Sequence, residues 1–191
     1  MSASLFAVIA AASLLASQLA SRLKAKGPGA PSPAKKVAAT GGAAAAVVAA
    51  AVFVSPWEGE RTEAYLDRIA QPPVWTVCYG ETKGVKQGQK YTSAQCSEML
   101  VKSLEGYHAQ LSKCLPALPH QPEGVQVALT SWTYNVGAGA ACGSTLVKKA
   151  NAGDWKGACE QLSRWDKAGG KPVKGLTNRR NAERKLCLEA L

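Results

Sequence analysis

Trp57–Asp67 reads WEGERTEAYLD, and Trp75–Gly80 reads WTVCYG. In the first stretch Glu58, Glu60 and Glu63 follow Pro56. Proline fits a first helical turn and acids suit the partial positive charge of a helix N-terminus, so a helix is expected to start at Pro56. The second stretch belongs to Val74–Tyr79 (VWTVCY), rich in β-branched and aromatic residues. With Gln89–Thr92 (QKYT), and glycines at 80, 84 and 88 between the two, it predicts a small antiparallel sheet. Beyond Thr92, helical patterns fall near 93–113, 122–136, 144–152, 155–166 and 178–190. Thr92, Asp154 and Thr177 are the expected caps and Gly137 and Gly153 the expected stops. A helix, a small sheet and a helical bundle make an α+β fold, mainly helical.

Outward from that core the chain changes character. Its 191 residues suffice for one domain of ordinary size with residues to spare. The net charge of +10 is uneven: residues 1–55 hold five Lys/Arg and no acid, whereas residues 56–191 hold eighteen Lys/Arg and all thirteen Asp/Glu. Candidate catalytic carboxylates are therefore confined to the second part. Met1–Ser21 and Val37–Trp57 carry no charge, and either is long enough to cross a hydrocarbon core of about 30 Å as a helix. Between them Arg22–Lys36 is rich in Gly and Pro and holds all the early positive charge, which keeps a linker on the cytoplasmic side. The body then lies outside, where disulfides form, and all six cysteines are in it.

The second run is weakly apolar. Val37, Val47, Val48, Val52, Phe53 and Val54 supply only about −2 to −4 kcal/mol towards insertion. An ordinary signal anchor and a buried Ala-rich helix are the alternatives. Met1–Ser21 stays open as one arm of a hairpin, an interfacial helix or a cleaved leader. The organisation read is an apolar segment and basic linker (1–36), a membrane helix (37–55) and a catalytic body (56–191). Composition excludes collagen-like and coiled-coil chains. Positive charge suits anionic wall polymers and phospholipids alike, and does not by itself point to nucleic acid.

Hydrolysing a glycosidic bond needs one carboxyl that donates a proton to the leaving oxygen and a second group that activates water or attacks carbon. Glu58 and Asp67 are candidates for that pair, one near the start of a helix and one just past its end, and the Thr76 hydroxyl is placed to help hold water. Read structurally, the same residues are a helix-terminal acid, a turn aspartate and a strand threonine. His108 and His120 lack metal-ligand spacing and are expected at the surface. Trp75, Trp132, Trp155 and Trp165 are expected in the core. Six cysteines allow 15 connectivities. The favoured set is Cys78–Cys96, Cys114–Cys142 and Cys159–Cys187, the last because its members flank a two-helix unit.

EGERTEAYLD, WTVCYGET, YNVGAG (Tyr134–Gly139) and CEQLSRWDKAGGKPVKGLTNRRNAERKLC (Cys159–Cys187) together resemble the phage-type lysozymes, glycoside hydrolase family 24. They resemble more narrowly the endolysins that carry a signal-arrest-release segment. The resemblance covers residues 56–191 and implies a sheet lobe and a helical lobe with a cleft between them, preceded by N-terminal membrane-targeting helices. It implies Glu58 as general acid, with Asp67 and Thr76 positioning the water that attacks with inversion. It also implies cleavage between N-acetylmuramic acid and N-acetylglucosamine in peptidoglycan.

Asn135 and Gly137 fall at the helix end that lines the cleft in relatives, and Arg179 is expected to meet a peptide-stem carboxylate through its bidentate fork. For the glycines the other reading is helix termination and close packing; for Arg179 and Arg180 it is a solvated helix start. No cofactor and no metal are implied. The expected partners are peptidoglycan and the inner membrane through residues 37–55, with no nucleic acid, for a monomer exported to the periplasm.

Two departures from the family stand out. RIAQPPVW between Asp67 and Thr76 is longer and richer in proline than the usual glycine turn, and Glu81 replaces the usual His. Because the 37–54 run contains no cysteine, activation by thiol exchange from that segment is closed, and control is expected through location and refolding. A transglycosylase or chitinase on the same scaffold, and an inert wall-binding protein, are the competing readings.

Overall fold

A computed structural model of the chain describes residues 42–191. The expected 1–36 segment and the first positions of the 37–55 run lie outside them. Helix α1 (Ala43–Glu58) is followed by strands β1 (Arg61–Asp67) and β2 (Val74–Cys78), then α2 (Ser93–Cys114) and a 3-10 turn (Leu118–His120). Next come α3 (Glu123–Val136), α4 (Ala138–Cys142), α5 (Thr145–Asn151) and α6 (Trp155–Glu160), which runs into a 3-10 turn (Gln161–Arg164). A short hairpin, β3 (Lys167–Ala168) and β4 (Lys171–Pro172), leads into α7 (Lys174–Glu189). The result is mainly helical with a small sheet, the class expected from the sequence.

The helix expected to start at Pro56 instead ends there. α1 carries the apolar run into the catalytic motif, Pro56 sits in its last turn and Glu58 is its final residue. Proline has no N–H for the Val52 carbonyl, and Ser55 Oγ donates to that oxygen at 3.3 Å. Gly59 then leaves the helix at φ 72°, a region favouring glycine, with its N–H donating to the Ser55 carbonyl. Glu60 and Glu63 do not belong to a helix N-terminus. β1 begins at Arg61, and Arg61 and Glu63 alternate as exposed positions with half-buried Thr62 and Ala64, the period of a strand.

β1 pairs antiparallel with β2 in the register Tyr65↔Thr76, Leu66↔Trp75, Asp67↔Val74, with an irregularity between Arg61 and Tyr65. Gln89–Thr92 joins by a single bridge, Glu63↔Lys90, flanked by Ala64 N–H to Gln89 O and Tyr91 N–H to Thr62 O.

The main core gathers around Trp132 of α3, with Leu111 and Leu115, Leu146 and Leu162. Trp165 meets Trp132 edge-on at 5.2 Å, and Trp155 packs at the margin of the same cluster. Trp75 is half-buried on the sheet, outside that core. A second cluster seats α1: Val47, Ala50 and Val54 pack on Leu100 and Leu104 of α2 and Val127 of α3. Each buried valine contributes about 1.5–3 kcal/mol by leaving water.

Thr92 caps α2 in a capping box with Gln95, and Asp154 accepts from Gly157 N–H at the start of α6. Gly137 and Gly153 stand at positive φ at the ends of α3 and α5. Thr177 is not a cap, because α7 starts at Lys174, and the expected 155–166 helix tightens into a 3-10 turn after Glu160. His108 is buried rather than exposed: it continues the Leu100–Leu104 stripe at four-residue spacing and its Nε2 lies 3.1 Å from Gln126 Oε1. His120 is exposed. All six cysteines pair as favoured, joining β2 to α2, α2 to α4 and α6 to α7. Among the described residues no helix is long and apolar enough to cross a membrane.

Candidate active site

Glu58 arrives at its position because α1 stops there. Gly59 turns the chain into β1, and the carboxylate faces a cavity of about 370 Å³ whose walls include Glu60, Arg61, Tyr65 and Tyr79. Glu58 Oε1 accepts from Arg179 Nη1 at 2.6 Å, with the glutamate side chain 22% exposed and the arginine 5%. The other edges of the guanidinium are also occupied: Nε donates to Glu183 Oε1 at 3.2 Å and Nη2 to the Ser131 carbonyl at 3.3 Å. Arg179 and Arg180 are both buried, so neither belongs to a solvated helix start. No edge of Arg179 points outward to a peptide-stem carboxylate; the fork is turned onto Glu58 and Glu183.

Tyr134 of α3 ties the helices to the sheet lobe, its hydroxyl donating to the Tyr79 carbonyl at 2.9 Å. Burial pushes the phenol well above its ordinary range, and the carboxylates of Glu58 and Glu81 push it further, so it remains a donor. Glu81, in the place of the family's usual His, accepts from Ser103 of α2. A hydroxyl and a carboxylate thus join α2 to the segment that follows β2.

Asp67 and Thr76 sit on the two paired strands, and the register puts their side chains on the same face as Tyr65. Tyr65 reaches the Glu58 cavity, and Arg61 stacks on its ring at 4.4 Å. Asp67 and Thr76 are not among the walls of that cavity. Asp67 Oδ1 accepts from Ile69 N–H at 2.8 Å and Ala70 N–H at 3.4 Å, which fixes the start of the RIAQPP loop. Thr76 is buried and donates to the Val74 carbonyl at 3.3 Å.

Asn135 is exposed at the end of α3 and lines a separate cavity of about 380 Å³ with Arg164, Trp165, Lys167 and Leu176. Gly137 terminates α3 at φ 85°, and a Cβ there would meet nothing within 4 Å. Its role in the fold is conformational and not one of close packing.

Sequence reasoning missed Ser131 and Glu183 as partners of the Glu58–Arg179 pair. A sign was present: Glu183 stands three and four residues after two arginines, the spacing at which helical side chains meet.

The sequence pattern of the family described as Phage lysozyme matches residues 55–183. The SAR-endolysin of Bacteriophage PS119 is 46% identical over 132 residues, covering 69% of this chain and 76% of that protein. The SAR-endolysin of Enterobacteria phage P21 is 46% identical, covering 69% of this chain and 77% of that protein. Among solved structures, the active form of P1 phage endolysin Lyz superposes with a TM-score of 0.64 at 26% identity, over 75% of this chain and 83% of that one. The muramidase domain of SpmX from Asticaccaulis excentricus shares the fold, at a TM-score of 0.64 and 23% identity. With its matched pattern running from the Glu58 motif into the arginine cluster of α7, the chain belongs to the phage lysozyme family.

Proposed function

We propose that the chain is an endolysin that hydrolyses the β-1,4 bond between N-acetylmuramic acid and N-acetylglucosamine, with Glu58 as the proton donor. The observation that carries this reading is the buried, charge-assisted hydrogen bond from Arg179 to a half-exposed Glu58 at a cavity wall. The bond occupies one carboxylate oxygen of a residue that lines the cavity, and a positioned carboxyl is what general acid catalysis requires. In the reaction Glu58 gives its proton to the bridging oxygen as the glycosidic bond breaks. A water held by Asp67 and Thr76 attacks the anomeric carbon from the opposite face and loses its proton to Asp67, so configuration inverts. Asn135, on the separate cavity beside Trp165, and Gly137 at the end of α3 are assigned as sugar-contacting positions, and the chain is assigned as a monomer. Arg179 is assigned to hold Glu58 rather than to contact the peptide stem.

The same reading includes release from the inner membrane into the periplasm. From Ala43 to Val54, α1 is apolar on every side. Its buried face is Ala46, Val47, Ala50 and Val54, and its outer face includes Ala44, Ala45 and Val52 with no polar group. A helix without a polar face suits a membrane as well as a core, and the relatives' name, SAR-endolysin, carries the same implication. While residues 37–54 reside in lipid, Glu58 is held four residues from the bilayer, away from Arg179. When the segment leaves, α1 docks on α2 and α3 and brings Glu58 to the cavity.

The test is the full chain and its Glu58→Gln variant on isolated peptidoglycan, with new sugar ends read by mass. Wild type is expected to generate reducing ends and the variant at least about 100-fold fewer. Equal clearing by both would remove Glu58 from its role.

A further inference from the structure

Behind the Glu58–Arg179 pair lies a second pair of charges that takes no part in the proposed proton transfer. Arg180 and Glu183 of α7 are both 0% exposed. Glu183 Oε1 accepts from Ser131 Oγ at 2.7 Å, from Arg180 Nη2 at 2.9 Å and from Arg179 Nε at 3.2 Å. Its other oxygen lies 2.8 Å from Arg180 Nε. Two guanidiniums are thus enclosed with two carboxylates, and Arg179 is shared between them, Nη1 on Glu58 and Nε on Glu183. Burying the three ions Arg179, Arg180 and Glu183 is costly, and a hydrophobic replacement of a buried pair is often neutral or stabilising. An arrangement that keeps these charges, with Arg180 Nη1 left without a hydrogen bond among the described residues, is poorly explained by stability alone.

We propose that Glu183, fixed by Ser131, is a positioning residue: it aims Arg179 at Glu58 and takes up part of the guanidinium's charge. This rests on the reading of Glu58 as general acid. With Glu183 absent, Arg179 and Arg180 face Glu58 as the single carboxylate in contact with the cluster, and the added positive potential favours its ionised form. The other ionisable groups facing Glu58 are Glu60, Arg61, Tyr65 and Tyr79 on the cavity walls and Tyr134 of α3, with Glu81 and Tyr107 beside Tyr134. All of these groups are common to the variants below. Burial pushes the Glu183 carboxyl up from its ordinary range, while Arg180, Ser131 and Arg179 pull it back.

The test is the pH profile of kcat/KM for the full chain on soluble peptidoglycan fragments. Glu183→Gln keeps shape and removes charge. Its alkaline limb, where the proton donor is lost, is expected to move about one pH unit towards acid, with KM unchanged. Glu183→Gln with Arg180→Met removes one charge of each sign and is expected to return the limb to its wild-type place. A folded Glu183→Gln whose limb does not move would overturn the assignment. Should that variant fail to fold, Ser131→Ala decides: a fall in kcat of about tenfold at constant KM supports the positioning role, and an unchanged kcat sinks it. If Glu58→Gln is inactive and the limb is unmoved, only the Glu183 assignment is lost. Full activity of Glu58→Gln removes the parent reading.

Discussion

Arg179 makes three hydrogen bonds in three directions, to Glu58, Glu183 and the backbone of Ser131. A lysine at this place has the charge but not the planar fork, so it cannot serve all three. Arg179→Lys is therefore expected to lower kcat by about tenfold or more, near 1.4 kcal/mol of transition-state stabilisation, with KM little changed and the fold retained; steady-state kinetics on soluble fragments check this. An unaltered kcat would make the ion pair ornamental to the chemistry. Glu58 stands out in the sequence as the proposed proton donor because EG followed by AYLD is a local motif. The Glu58–Arg179 contact does not, because its partners are 121 positions apart and a helix-borne arginine reads as solvated. Asp67 and Thr76 were legible as residue types, but Asp67's hydrogen bonds to its own loop depend on the RIAQPP departure, which no motif covers.

Among the elements, five of the six helices after α1 are legible from periodicity and caps, the short α4 being the exception, with Thr92, Asp154 and Gly137 doing what their chemistry dictates. The α1–β1 boundary was misread because Pro56 and three acids imitate a helix start. The competing signal was the Ser55 hydroxyl available to satisfy the carbonyl that proline leaves free, together with the two-residue alternation after Gly59. α7 was placed late because Thr177 looks like a cap, yet its hydroxyl serves Asp166 at 3.1 Å and the Val173 carbonyl at 3.2 Å inside the first turn. The packing of α3 on α7 depends on Gly124. A Cβ there would stand 2.8 Å from Ala190 Cβ and 3.1 Å from the Leu186 carbonyl, both on or next to α7. Gly124→Ala is expected to destabilise the protein by about 1–3 kcal/mol through overpacking, read as a lower unfolding midpoint in denaturant. An unchanged midpoint would mean that the two helices part without cost.

For the molecule as a whole, three disulfides fasten sheet to helix and helix to helix, and none involves α1. The element that delivers Glu58 is held by packing and by the ion pair. Gly42, at its start, has open space where a Cβ would be, so replacing Gly41 and Gly42 by leucine probes the proposed membrane residence rather than fit at Gly42. The leucine variant is expected to stay in the membrane fraction and to delay lysis, and soluble, active protein from it would count against the tether. The two faces of α1 divide the work. Ala46 and Ala50, at 1% and 0% exposure, have no room for a larger side chain, so the docked face is fixed by volume. Ala44, Ala45 and Val52 face outward and can be made more or less oily without disturbing the enzyme. On the proposal that activity waits on departure from a bilayer, those three positions are the winding knob of a clock: lysis time can drift over generations there while the chemistry stays constant.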